Sequence, residues 1–162
     1  MWHANCSFFK TGVRQLNQIT KILDDAIAAH EDENFLKAAD LYLEILKNNS
    51  NHPDANHNLG LLSVHTGKAR EGLLFFENAI NSNPTVPTYW VSLLNTLISL
   101  KEFQVARDIL KQANGMGHKS KSFKEIEHVL EAPEFSDSTE ISEYYLKKLH
   151  GFLQKRNFKD FK

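Results

Sequence analysis

The chain has 162 residues, 41% hydrophobic and 24% charged, with 19 Lys+Arg against 20 Asp+Glu and a formal net charge of -1. That length and balance suit one soluble domain of ordinary size and exclude a disordered chain. The near-zero net charge argues against bulk electrostatic binding to nucleic acid or to an anionic membrane.

The N-terminal segment MWHANCSFFKTG lacks the apolar run of a secretory signal. Cys6 is the only cysteine and has no partner for an internal disulfide, so nothing points to an oxidising compartment. The longest sustained apolar stretch, Val91 to Leu100, is interrupted by Ser92, Asn95, Thr96 and Ser99. It falls well short of the roughly 20 residues needed to span a bilayer. A cytoplasmic chain is expected, with residues 1–18 read as an N-terminal extension or helix.

From Ile19 onward the chain repeats itself every 34 residues. Ala38, Gly72 and Ala106 fall in one column, Tyr42, Phe76 and Leu110 in another, and Ile45, Ala79 and Ala113 in a third. Upstream, Ile22, Asn56 and Trp90 align, as do Ala26, Gly60 and Leu94, and Ala29, Ser63 and Leu97. Such self-similarity marks stacked supersecondary units. Each unit reads as two helices. Asp54 to His65 carries Leu59, Leu61 and Leu62 at helical spacing, and Thr66-Gly67-Lys68 ends it with a glycine suited to a left-handed terminal residue. Ala69 to Asn81 carries Leu73, Phe76 and Ile80 on one face and stops at Asn83-Pro84. Pro53 and Pro87 stand at helix starts, where a missing N–H costs nothing. Small residues at Gly60 and in the Ala38, Gly72 and Ala106 column allow close approach of paired helices.

Period, helix pairing and the residues Asn58-Leu59-Gly60, Gly67, Phe76, Ala79 and Pro84 resemble a tetratricopeptide (TPR) repeat. The first unit, 19–52, departs from the family at Asp25 and Glu33, the latter standing where the family prefers Gly. The third unit, 87–120, departs at Lys101, again for Gly, and at His118 for Pro. The resemblance covers Ile19 to Ser120 and implies an all-α, right-handed α-solenoid of three repeats (19–52, 53–86, 87–120). Order of parts also resembles the N-terminal TPR arrays of bacterial glycosyltransferase, sulfotransferase and methyltransferase proteins.

After Ser120 the columns break. Ser122 to Glu131 reads as a short helix, and Asp137 with Glu140 opens a second one from about Ser138 to Lys155. Its Ile141, Tyr145, Leu149 and Phe152 form an apolar face resembling half a repeat, so 121–162 is expected to be an irregular spacer and terminal helix. Self-association through that helix, or through the Trp2, Phe8 and Phe9 end, is a further reading.

No phosphate loop, nucleophile elbow, zinc-protease helix or paired-cysteine motif occurs. No enzyme activity, cofactor or metal is expected. His57 and His65 lie eight residues apart, two helical turns, too far to share one zinc ion. The adjacent carboxylates Asp24-Asp25 and Glu31-Asp32 diverge around a helix and read as a solvated face. Lys119, Lys121 and Lys124 read as a solvated, Ser-rich linker.

In the TPR register the first helix of each unit lines the concave wall. That wall presents Leu23, Ile27 and His30, then His57, Asn58, Leu61 and His65, then Val91, Asn95 and Ile98. It is apolar for a solvent-facing surface, which implies a protein or peptide partner as its cover. The resemblance makes Asn58 a candidate to hold a ligand backbone; a local helix hydrogen bond is the other reading of that side chain. Chaperone-tail binders of this family use Lys, Asn, Asn, Lys and Arg to clamp a carboxylate. The matching positions here are Leu23, Ile27, Asn58, Thr88 and Ser92, so the charge for that ligand is missing. The sequence therefore implies a non-catalytic scaffold that binds a peptide or helix in its groove, with an acceptor-recruiting region of a larger transferase as the alternative.

Overall fold

The computed structural model describes residues 4–131, with side chains from Leu16 onward. Every element among them is a helix: α1 Ala4–Glu31, α2 Phe35–Asn48, α3 Pro53–His65, α4 Ala69–Ser82, α5 Pro87–Ser99, α6 Phe103–Gly115 and α7 Lys121–Glu131. This is an all-α helical-repeat solenoid. It clusters into two compact units, one up to Leu93 and one from Leu94. The expected terminal helix with Ile141, Tyr145, Leu149 and Phe152, and the Trp2, Phe8 and Phe9 side chains, lie outside the described residues.

α1 runs unbroken from Ala4 through Ile19 to Glu31, so the residues read as an extension share a helix with the first repeat. The helical period gives no break at residue 18, and no glycine or proline stands there to make one.

The period is enforced at the turns between paired helices. Glu33, Gly67 and Lys101, spaced by 34 residues, all take positive φ, at 57°, 78° and 61°. The residue after each sends its N–H to the carbonyl five positions back: Asn34 to Ala29 at 2.8 Å, Lys68 to Ser63 at 2.7 Å and Glu102 to Leu97 at 2.9 Å. Each is a Schellman termination, which satisfies carbonyls that the helix end leaves without partners. Glycine takes the left-handed conformation without a Cβ clash, whereas Glu33 and Lys101 hold it at about 1–2 kcal/mol each. Gly117, at φ 91°, ends α6 in the same way, with His118 N–H bonded to Ala113 O at 3.1 Å.

A second recurring bond ties the connections between repeats. Asn56 donates from Nδ2 to Ser50 O at 3.0 Å, and Trp90 donates from Nε1 to Pro84 O at 2.8 Å. Both acceptors lie six residues upstream of the donor. The Ile22, Asn56 and Trp90 column therefore mixes packing with anchoring, and the buried Asn56 amide also reaches His52 O at 3.0 Å.

In the first unit, α1 packs on α2 and α3 on α4, while α2 also packs on α3. Ala26, Ala29, Ala38, Tyr42, Leu59 and Leu62 form one core cluster, with Leu23, Ile27 and Phe35 packed against it. Phe76 and Trp90 are buried as well. The α3–α4 crossing is very close. A Cβ built on Gly72 would lie 2.9 Å from Gly60 O, and one on Gly60 would lie 2.6 Å from the Phe76 ring.

The second unit holds Phe103, Val105, Ala106, Ile109, Leu110 and Ala113 of α6 buried, with Phe123, Ile126 and Leu130 of α7. The Arg107 guanidinium donates to Leu130 O at 3.1 and 3.3 Å, meeting the negative end of α7. α7 begins 34 residues after α5, so its start keeps the period although its apolar columns do not. Lys121 opens this helix and Lys124 lies within it, so the two belong to a helix and not to a linker. Lys121 forms an exposed ion pair with Glu125 at 3.5 Å.

Two stability outcomes follow from these contacts. Glu33→Gly and Lys101→Gly should each raise stability by up to about 1 kcal/mol, since glycine removes the left-handed penalty and returns part of it as chain entropy. Gly72→Ala should lower it by about 1–3 kcal/mol despite alanine's better helix propensity, because the obstructing atom is backbone. Urea denaturation of the three variants reads both signs.

Candidate functional site

The surface formed by the C-terminal end of α1, the start of α2 and α3 closes around a pocket of about 570 Å³ in the first unit. It is lined by Ile27, His30 and Glu31 of α1, Glu33 of the turn, Phe35 and Tyr42 of α2, and Asn58, Leu61 and His65 of α3. Five of the residues expected on the groove wall thus meet in one place: Ile27, His30, Asn58, Leu61 and His65. Helical spacing puts Asn58, Leu61 and His65 on one side of α3, three and four residues apart. Close packing of α3 on α4 leaves that side facing outward.

The histidines of the wall are engaged. His30 Nε2 and His65 Nδ1 share a hydrogen bond of 2.9 Å, in which one imidazole is donor and the other acceptor. Their rings meet edge to face with centroids 5.0 Å apart, and His30 also meets Phe35 at 5.8 Å and Tyr42 at 6.3 Å. Burial holds His30 below the usual histidine range, with the His65 charge adding to the effect and Glu31 opposing it. His57 Nε2 and Ser92 Oγ lie 2.9 Å apart in a hydrogen bond, and the ring lies 4.9 Å from Tyr89. Burial lowers His57 too, against the opposing charge of Asp54. Beside it the Tyr89 hydroxyl donates to Asp54 Oδ1. Burial, then that bond and charge, push the Tyr89 hydroxyl well above its ordinary value.

These polar links share a spacing. His30–His65, Asp54–Tyr89 and His57–Ser92 each join residues 35 apart, from the first helix of one repeat to the first helix of the next. Equivalent positions recur at 34; the neighbouring helix offers its side chain one residue further on.

The remaining wall residues are distributed elsewhere. Leu23 packs against the core cluster, and Val91 is half-buried. Asn95 and Ile98 line a separate pocket of about 280 Å³ in the second unit, with Ser122, Glu125, Ile126 and Val129 of α7. Asn58 is half-buried and makes no side-chain hydrogen bond among the described residues, so the local helix bond is not formed.

Sequence reasoning missed four lining residues: Glu31, Glu33, Phe35 and Tyr42. Glu31 read as solvated surface and Tyr42 as core, and Tyr42 is indeed buried, yet it also lines the pocket. Burial, with the Glu31 charge adding, pushes the Tyr42 hydroxyl up to about 12, so it stays protonated at neutral pH. Glu33 carried the usable signal, since it occupies a place where glycine is easier. Among the described residues no three His, Cys, Asp or Glu side chains gather to hold a metal ion, and no helix is long and apolar enough to cross a membrane.

Comparison with solved structures agrees with this architecture. The chain is similar to the Sgt2 TPR domain from Aspergillus fumigatus, with a TM-score of 0.62 and 15% identity, covering 83% of this chain and 82% of that one. It is also similar to the first TPR of Spaghetti (RPAP3) bound to HSP90 peptide SRMEEVD, at 0.61 and 10% identity over 72% and 95% of the two chains. PilF of Pseudomonas aeruginosa matches at 0.57 with 18% identity, over 85% and 67%. The fold is a TPR fold. No protein-family model and no curated relative matches the sequence.

The lowered histidines set a pH dependence. In the folded chain His30 and His57 take up protons less readily than at their ordinary value of 6.5. As pH falls through that value the unfolded chain gains protons that the folded chain refuses, so stability declines; it is fully present only above about pH 7. His57→Phe keeps a ring beside Tyr89 but cannot be protonated. Urea denaturation at about pH 7.5 and about pH 5.5 should show a smaller loss on acidification for this variant than for the parent.

Proposed function

We propose that the protein is a non-catalytic TPR scaffold that binds a peptide segment of another protein through the outward side of its first helices. The pocket bounded by α1, α2 and α3 carries this reading. It combines apolar contact from Ile27, Leu61 and Phe35 with polar groups able to fix a ligand's orientation, the combination expected of a recognition site. Asn58 is its most available hydrogen-bonding group. Its amide offers both a donor and an acceptor, the pair that a passing peptide backbone needs.

The TPR fold supports a protein partner, since the Spaghetti domain is seen with a peptide bound. The ligand here should differ from that acidic tail. At the positions where chaperone-tail binders hold a carboxylate, this chain has Leu23, Ile27, Asn58, Thr88 and Ser92, with no cation among them. An anionic terminus buried there would lose its hydration without gaining a charged partner.

The test is selection of short displayed peptides on the intact chain, followed by titration of the best binder. Leu61→Glu should weaken it at least about tenfold, or ~1.4 kcal/mol, while the melting temperature stays within about 4 °C. Undiminished affinity in a folded Leu61→Glu variant would remove this pocket from the site.

A further inference from the structure

We propose that His30 and His65 form a proton-operated clasp, which ties the first helices of the first two repeats together at neutral pH and lets them part in acid. The pair stands where such a device can act. His30 lies in the last turn of α1 and His65 is the last residue of α3. The 2.9 Å bond between them therefore joins two helix ends that belong to different repeats. Both residues line the recess bounded by α1, α2 and α3, so a change in the pair changes the recess.

Whether the bond exists depends on how many protons the pair carries. In the neutral pair one imidazole donates its N–H to the bare nitrogen of the other. A first added proton leaves the bond in place and makes it charge-assisted. A second leaves both facing nitrogens with an N–H and neither able to accept, so attraction turns into repulsion between like charges. The two rings thus titrate as a unit in two steps, and only the second step opens the clasp.

The surroundings place that second step on the acid side. His30 is half-buried, with its ring edge to face against His65 at 5.0 Å, Phe35 at 5.8 Å and Tyr42 at 6.3 Å. Among the lining residues, α1 contributes the Glu31 carboxylate, the turn contributes Glu33, and α2 contributes Tyr42. α3 contributes no titratable group to the recess besides His65. Tyr42 is neutral throughout the range, since its hydroxyl is pushed up to about 12. The carboxylates and the negative helix ends favour a charged pair. Burial and the His65 charge nevertheless outweigh Glu31 and hold His30 below 6.5. A groove edged by this clasp presents one surface at neutral pH and another in acid.

The test follows the ring nitrogens of His30 and His65 by NMR in the intact chain, from about pH 8 to about pH 4.5. In the parent the two rings should titrate in linked steps, the second at least about one pH unit below the first. The control is His65→Asn, whose short amide places a donor and an acceptor near the Nδ1 position and cannot be charged. There the His30 ring should titrate in a single step, at higher pH than the second step of the parent. Amide exchange in the last turn of α1 and at Glu33, corrected for its intrinsic pH dependence, gives a second readout. It should quicken at least about tenfold from pH 7.5 to 4.5 in the parent, and less in His65→Asn. His57 is present in both chains, so the difference between them isolates the pair. Rings that titrate independently, a His30 step unmoved by His65→Asn, or exchange that quickens equally in both chains would each overturn the clasp. No ligand enters these measurements, so their outcome is independent of the peptide-binding reading above.

Discussion

The close crossing of α3 over α4 is the contact on which the first unit depends. Where Gly72 faces Gly60 the backbones approach until no Cβ fits between them, and the Phe76 ring occupies the space that a side chain at residue 60 would need. A two-helix unit this small cannot hide its apolar surface alone. Backbone-to-backbone approach lets α4 take the inner side of α3 and hold Leu59 and Leu62 in the core. The opposite side of α3, with His57, Asn58, Leu61 and His65, is then left facing outward. These side chains keep part of their surface accessible because their neighbours in sequence are packed.

Two sets of hydrogen bonds translate that packing into a repeat. Schellman turns at Glu33, Gly67 and Lys101 stop the first helix of each pair at the same point. The turn is strong enough to impose a left-handed backbone on two residues that resist it. Links at a spacing of 35 join successive first helices: a histidine pair, a tyrosine on an aspartate, and a histidine on a serine. Their chemistry differs from repeat to repeat while their geometry is constant, so the scaffold tolerates divergence at these sites as long as one side donates and the other accepts. The histidine pair is a particular case. It is made only while at least one imidazole is neutral, which couples the junction between repeats to pH.

The same elements shape the pocket's chemistry. Glu33 stands in a position where glycine would be less strained, and its carboxylate lines the recess. Tyr42 is both a core residue and a pocket residue, its ring held by the cluster around Ala38 and Leu59 while the residue also borders the recess. Backbone strain at a residue that lines a recess is a usual mark of a surface shaped for something besides stability.

The amino-acid sequence by itself determined the local architecture. Columns of small and large residues at a period of 34, a glycine at Gly67, and prolines at Pro53 and Pro87 fix helix pairs and their turns, because these depend on backbone preferences and on periodicity along one helix. It also placed Ile27, His30, Asn58, Leu61 and His65 on one wall. Tertiary structure alone decided how that wall is used. The bond between His30 and His65, the spacing of 35, and the entry of Glu31, Glu33, Phe35 and Tyr42 into the pocket all depend on the distance and rotation between packed helices. Periodicity constrains which side of a helix a residue occupies; only packing sets which residues of the next helix it meets.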